Sequence, residues 1–172
     1  MRYVLASVAV LTALTTGSIL WSTTECPTAR LRFGTHPNIM CLELAFTTER
    51  AASTVVMWSA GDGAIARTAH DDTIGDYAFL AFYGSALAFT GWKASRKLAP
   101  GSAFYRSALV KAPIFAALCD ALENQGIFRI LAMGATVTSP VAFMTGVFAS
   151  LKFALIAVWI GSALVLASRR PS

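Results

Sequence analysis

Between residues 112 and 133 the chain is almost wholly apolar, yet the middle of that run carries Asp120, Glu123 and Asn124. On a helix, positions i, i+3 and i+4 share one face, so two carboxyls and an amide project together from one side. A charged residue at a bilayer centre costs roughly 2.5–3.5 kcal/mol on insertion scales. A chain that carries such a cost gives those groups a partner or a task.

Composition identifies the surroundings. Of 172 residues, 56% are hydrophobic and only 13% charged, with a mean hydropathy of +0.61. A soluble domain is usually about 25% charged. A single polytopic membrane domain spanning residues 1–172 is the direct reading, all-α and not a nucleic-acid binder. The net charge of +5 comes from basic residues placed beside apolar runs, a pattern of membrane topology rather than of a nucleic-acid patch. Three Cys and two His, with no C-x-x-C and no H-E-x-x-H, give no metal framework, and no cofactor is expected. Cys26 and Cys41 share one loop, as a disulfide or as two thiols. Cys119 lies within a helix and is given no redox role.

The organisation reads as a four-helix transmembrane bundle with spans at about 3–21, 76–95, 107–134 and 140–167. The first is a retained helix rather than a cleaved signal peptide. Between the first two spans, residues 39–72 suit amphipathic helices lying on the membrane or against the bundle. Gly61-Asp62-Gly63 marks a turn within them. Thr73-Ile74-Gly75-Asp76 matches a capping box that would open the second span. Pro113 is expected to kink the third helix or to end an earlier segment. Ser139-Pro140 opens the fourth, which at roughly 40 Å must tilt in a ~30 Å core. Gly146 and Ser150, four apart, allow another helix to approach closely.

Lys93, Arg96, Lys97, Arg106, Lys111, Arg169, Arg170 and Arg2 fall on one side. The connection between the third and fourth spans, residues 135–140, has no Lys or Arg. The positive-inside rule puts both termini in the cytoplasm and the amphipathic segment outside, as in a bacterial inner membrane.

Lys152 completes the polar set. Counting from Val137, Asp120 and Glu123 lie 17 and 14 positions back and Lys152 lies 15 positions on. Antiparallel neighbours joined by a short loop bring all three to one depth. Asp120, Glu123 and Lys152 are the candidate catalytic residues. Asn124, Tyr83, Asp76, Tyr77 and Arg129 are candidate ligand-binding residues. Two carboxyls facing one lysine leave one acid without a counter-charge, a group suited to hold and donate a proton. Asp76 also has a capping role to fill. Tyr83 has either this cluster or a local partner to satisfy its hydroxyl. Arg129 has Glu123, Asp76 or lipid phosphate within its expected reach. Glu43 is expected to face the surface of an interfacial helix, with a position tucked toward the bundle as the alternative. The phenylalanines, with Trp159, are expected to face lipid or to pack between helices, with an apolar ligand cavity as the alternative.

The order Leu42-Glu43-Leu44-Ala45, Trp58, Asp76-Tyr77 with Tyr83, Asp120-x-x-Glu123-Asn124 and Lys152-Phe153 resembles a group of small bacterial four-helix membrane proteins of unassigned function. The resemblance spans roughly residues 40 to 160, implies four membrane helices and supplies no reaction. In size and site type the chain is also similar to membrane sterol isomerases and their sigma-2-like relatives, which hold acidic residues in a lipid-accessible bundle.

Three functions compete. The first is a site that binds a lipid or isoprenoid-like molecule from the membrane. If the chain is an enzyme, this site would isomerise or cyclise the ligand by acid–base chemistry. The second is a proton- or cation-coupled transporter or channel subunit, which four helices would build as a homo-oligomer. The third is a structural partner in a larger membrane complex.

Overall fold

The computed structural model describes residues 38–96 and 103–168, and these are all-helical, with no strand among them. The expected first span at about 3–21 lies outside the described residues, as do Cys26, Arg2, Lys97, Arg169 and Arg170. Two short helices, α1 (Met40–Glu43) and α2 (Thr48–Ser59), precede three long ones: α3 (Ala64–Ser95), α4 (Ala103–Met133) and α5 (Ser139–Ser168). A 3-10 turn, Gly134–Thr136, joins α4 to α5, so these two run antiparallel side by side. The central element is α4. It packs against α3 and against α5, while α3 and α5 barely touch each other.

The second helix does not open at the capping box. It begins at Ala64, after Gly63 turns the chain with φ 69° and Asp62 Oδ1 accepts from the Ala64 N–H at 3.1 Å. Thr73 sits in mid-helix and donates back to the Ala69 carbonyl at 2.7 Å, which removes it as a cap. The expected capping role of Asp76 therefore does not arise.

The third helix runs unbroken through Pro113. Proline has no N–H, so the Leu109 carbonyl one turn earlier loses its helical donor. The Trp159 indole N–H on α5 supplies one, at 3.1 Å, with the ring fully buried. On the α3 side, a side-chain carbon at Gly91 would collide with the same Leu109 carbonyl. One backbone group thus sets the approach of both neighbouring helices. Leu109, Ala112, Ala94, Trp159 and Ala163 form an apolar cluster around it.

A second apolar cluster closes the other end of the bundle. Leu42, Ala45, Val55 and Trp58 of the α1–α2 segment pack there on Ile127, Ile130, Val137 and Ala142. Thr47 caps α2, accepting from the Arg50 N–H at 3.3 Å. The turn between α1 and α2 places Phe46 at φ 55°, a left-handed conformation that costs a non-glycine residue roughly 1–2 kcal/mol. The ring it positions fills the space over Gly146. Gly146 therefore receives a phenyl ring, not a helix as its spacing with Ser150 predicts. The close α4–α5 approach is instead at Gly126, which has Thr145 against it. Cys41 is disulfide-bonded and Cys119 is free. Cys26, the candidate partner of Cys41, is among the residues not described.

Large apolar side chains also lie at the surface while a set of ionisable ones lies inside. Phe79, Phe82, Phe115, Leu118 and Phe143 are each more than half exposed, while Asp120, Glu123, Asn124 and Lys152 are buried. One described helix, α5, is long and apolar enough to cross a membrane over Ser139–Leu166, and only 28% of its most apolar stretch is buried inside the protein.

Replacing Trp159 by Phe removes the indole N–H together with its pyrrole ring, leaving the Leu109 carbonyl buried and unpaired beside a small cavity. A loss of about 1–3 kcal/mol is expected, read by denaturant unfolding of the full chain. A Trp159→Phe protein as stable as wild type would show that this carbonyl does not depend on the indole.

Candidate functional site

Between the two apolar clusters lies a polar one, drawn from four helices. Lys152 on α5 is its centre. Its ammonium lies 2.9 Å from Asp120 Oδ1, 2.8 Å from Glu123 Oε2 and 3.8 Å from Glu43 Oε1. All four side chains are buried, Glu123 completely. The contact to Asp120 is an aligned hydrogen bond, donated by Lys152. The shorter approach to Glu123 is a charge contact without hydrogen-bond alignment, for neither Glu123 oxygen has a hydrogen-bond partner of good geometry. Glu43 Oε2 is in the same state.

The Tyr83 hydroxyl on α3 donates to Asp120 Oδ2 at 2.9 Å, so each Asp120 oxygen has one donor. The adjacent residue on the same face, Asn124, donates from Nδ2 to Asp76 Oδ2 at 2.8 Å. Of the candidate residues, Asp120, Glu123, Lys152 and Tyr83 are therefore brought into one network, and Asn124 and Asp76 form a separate pair beside it.

Tyr77 and Arg129 belong to neither. The Tyr77 hydroxyl donates to the Ala121 carbonyl at 3.3 Å and accepts from Gln125 Nε2 at 2.6 Å, while its ring stacks on Phe128. These contacts clasp α3 to α4 outside the cluster. Arg129 is exposed on the outer wall and makes no ion pair among the described residues, so neither Glu123 nor Asp76 is its partner.

Glu43 takes the inward alternative rather than the expected surface position. It is 7% exposed, against Lys152. The signal was present in its neighbours. Met40, Cys41, Leu42 and Ala45 are all buried, so this short turn has no polar face to turn outward. An isolated glutamate in such a segment goes inward with it.

The arrangement has a chemical consequence. The Glu43 and Glu123 carboxyls lie against each other as well as against Lys152. Three ionised carboxylates with one ammonium would leave two uncompensated negative charges in a buried space. Two ionised carboxylates also have no hydrogen to share. A proton on this pair satisfies both conditions, since it lowers the charge and supplies the missing donor. No group of His, Cys, Asp and Glu among the described residues is arranged to hold a metal ion. The two outer grooves flanking α4 are not lined by Glu43, Asp120, Glu123 or Lys152. No family model matches the chain, and no curated protein or solved structure matches it significantly.

Removing the cation is expected to be far worse than removing one anion. Lys152→Met should cost about 3–5 kcal/mol by leaving buried carboxyls unpaired. Glu43→Gln removes surplus negative charge and should cost much less. Comparable losses in thermal unfolding would contradict a cluster with excess acid.

Burial raises the Glu43 carboxyl above its ordinary value of 4.5. Lys152 on α5 and the contact with Glu123 on α4 act the other way, and Asp120 on α4 and Asp76 on α3 add to the rise. A raised folded value means that the unfolded chain ionises first. The Glu43 contribution to docking α1 is then complete below pH 4.5 and declines as pH rises above it. Hydrogen exchange over residues 40–59 should accelerate from acid toward neutral pH, after correction for intrinsic rates. That dependence should flatten in Glu43→Gln, and an unchanged pH dependence in the variant would remove Glu43 from the account.

Proposed function

We propose that the chain is a multi-pass membrane protein whose working part is a buried proton-holding centre built from Glu43, Asp120, Glu123 and Lys152. The observation that carries this is the set of unpartnered carboxylate oxygens on Glu43 and Glu123, sealed beside a lysine already engaged by Asp120. Groups left in that state are suited to take up and give up a proton. Asp120 has both oxygens occupied and serves to fix the lysine. Tyr83 in turn orients Asp120.

The distribution of apolar and ionisable side chains supports the membrane setting. Large apolar side chains on α3, α4 and α5 face outward and ionisable groups face inward, as a bilayer requires. The expected fourfold set of spans and the direction of insertion belong to this proposal. Lys93 and Arg96 at the end of α3, and Arg106 and Lys111 at the start of α4, gather at one end of the bundle. Lys93 lies over the Phe89 ring and Arg96 over the Trp92 ring, 5.4 and 4.1 Å from the centroids, an aromatic-and-basic girdle suited to a cytoplasmic interface. The α1–α2 segment caps the opposite, outer end.

The proton is proposed to pass to or from a lipid or isoprenoid-like molecule that approaches from the membrane. Tyr83 supports that direction, being half-buried beside the exposed Phe79 ring at 5.3 Å while its hydroxyl touches Asp120. If the chain is an enzyme, isomerisation or cyclisation is the matching chemistry, and the closed cluster would have to open on the Tyr83 side for a ligand to reach Glu123. A second reading, a proton-coupled transport subunit, draws on the same surplus of acid over base. Proton flux into liposomes containing the protein would favour it.

Infrared difference spectra of the folded protein at neutral pH should show a protonated carboxyl. The band should disappear in Glu123→Gln, shift or weaken in Glu43→Gln, and persist in Asp120→Asn. A wild-type protein with every carboxyl ionised would falsify the proton-holding reading.

A further inference from the structure

Arg129 lies outside the acidic cluster, and its surroundings suit a different ligand. Beside it, α4 and α5 leave an outward-facing groove of about 350 Å³. Leu122, Val141, Met144 and Phe148 give it an apolar lining, and no carboxylate lines it. Gln125 is on the wall but already donates to Tyr77, which leaves the Arg129 guanidinium as the charged group of the groove.

The polar and apolar parts are ordered along the helix axis. Arg129 stands four residues from the end of α4 at Met133, about 6 Å at the helical rise. Leu122 lies two turns deeper in the same helix. On the facing wall, Val141 is near the start of α5 and Phe148 two turns deeper. The charge is therefore at headgroup level and the apolar lining runs toward the bilayer interior, if α4 and α5 span the membrane as proposed above.

We propose that this groove holds one acyl chain of an anionic phospholipid from the surrounding bilayer, with the lipid phosphate against the Arg129 guanidinium. The planar guanidinium fork matches two phosphate oxygens at once, a geometry a lysine ammonium does not reproduce. No acid lines the groove, so no like charge within it opposes a phosphate at Arg129. The site is distinct from the proton-holding centre, since none of that centre's acids or its lysine lines it.

The test uses the full chain in nanodiscs and in detergent. Native mass spectrometry would follow retention of phosphatidylglycerol against phosphatidylcholine. Wild type should retain one phosphatidylglycerol preferentially. Arg129→Gln should lower that retention about fivefold, in line with one basic side chain near a lipid surface. Arg129→Lys should restore it in part. Leu122→Trp, which fills the groove and keeps the charge, should lower retention of both lipids. Arg67→Gln removes the same charge outside the groove and should change nothing. Equal retention of the two lipids by wild type, or no effect of Arg129→Gln, would overturn the proposal. So would a dimer that occupies the groove with a second copy of the chain. Flotation with liposomes separates the two readings. A chain that does not insert fails the membrane reading itself, whereas one that inserts without lipid preference fails only this inference.

Discussion

An ammonium taken out of water keeps its charge only where anions replace its hydration shell, and Lys152 is met by three. Each buried ion gives up several kcal/mol of hydration, so the cluster holds together only while its members stay in register. That requirement reaches four helices. Glu43 comes from α1, Tyr83 from α3, Asp120 and Glu123 from α4, and Lys152 from α5. A slip of any one helix by a single residue would rotate its contribution about 100° away. The cluster thus specifies the mutual register of the bundle more than its net stability, because apolar residues of equal volume would cost less to bury.

The apolar ends of the bundle make that register attainable. At one end, Pro113 frees a carbonyl that Trp159 satisfies from α5 and Gly91 approaches from α3. At the other, the strained backbone of Phe46 seats its ring over Gly146 and brings Leu42 and Ala45 into the core. Glu43 is carried in by this second set of contacts. Its burial is thus a consequence of apolar packing on either side of it, and the unpartnered Oε2 shows that its own hydrogen bonding did not drive the placement. Packing supplies the energy, and the acids occupy positions that packing imposes.

Much of this was legible in the residues. The shared depth of Asp120, Glu123 and Lys152 followed from helical rise and a short connection. Asn124 was placeable on the face of Asp120 by its i+4 spacing, whereas the residues alone left Tyr83 between this cluster and a local partner. What was not legible depended on contacts between segments distant in sequence. The Thr73-to-Asp76 pattern has the chemistry of a helix start, yet a helix already running from Ala64 supplies Thr73 with a carbonyl acceptor, and local pattern yields to it. Gly146 marks a close approach correctly, but spacing alone does not say whether a helix or a ring arrives. The charge of Glu43 favours a surface position, and only the packing of its four apolar neighbours decides for the inward alternative.

The surplus of acid follows from this history of constraints. Had Glu43 faced outward, Asp120 and Glu123 would share Lys152 with a single extra charge, and Asp120 already has both oxygens occupied. Its inward position adds a second carboxyl with an unpaired oxygen directly beside the first. Two such carboxyls side by side favour a state that shares one hydrogen over one with both ionised. The element that delivers Glu43 is a single helical turn, held by apolar packing, by the disulfide of Cys41 and by the left-handed turn at Phe46. In the proposed proton-holding state, the proton and the docking of α1 would stabilise each other, tying the charge of the bundle's interior to the seating of the α1–α2 segment on it.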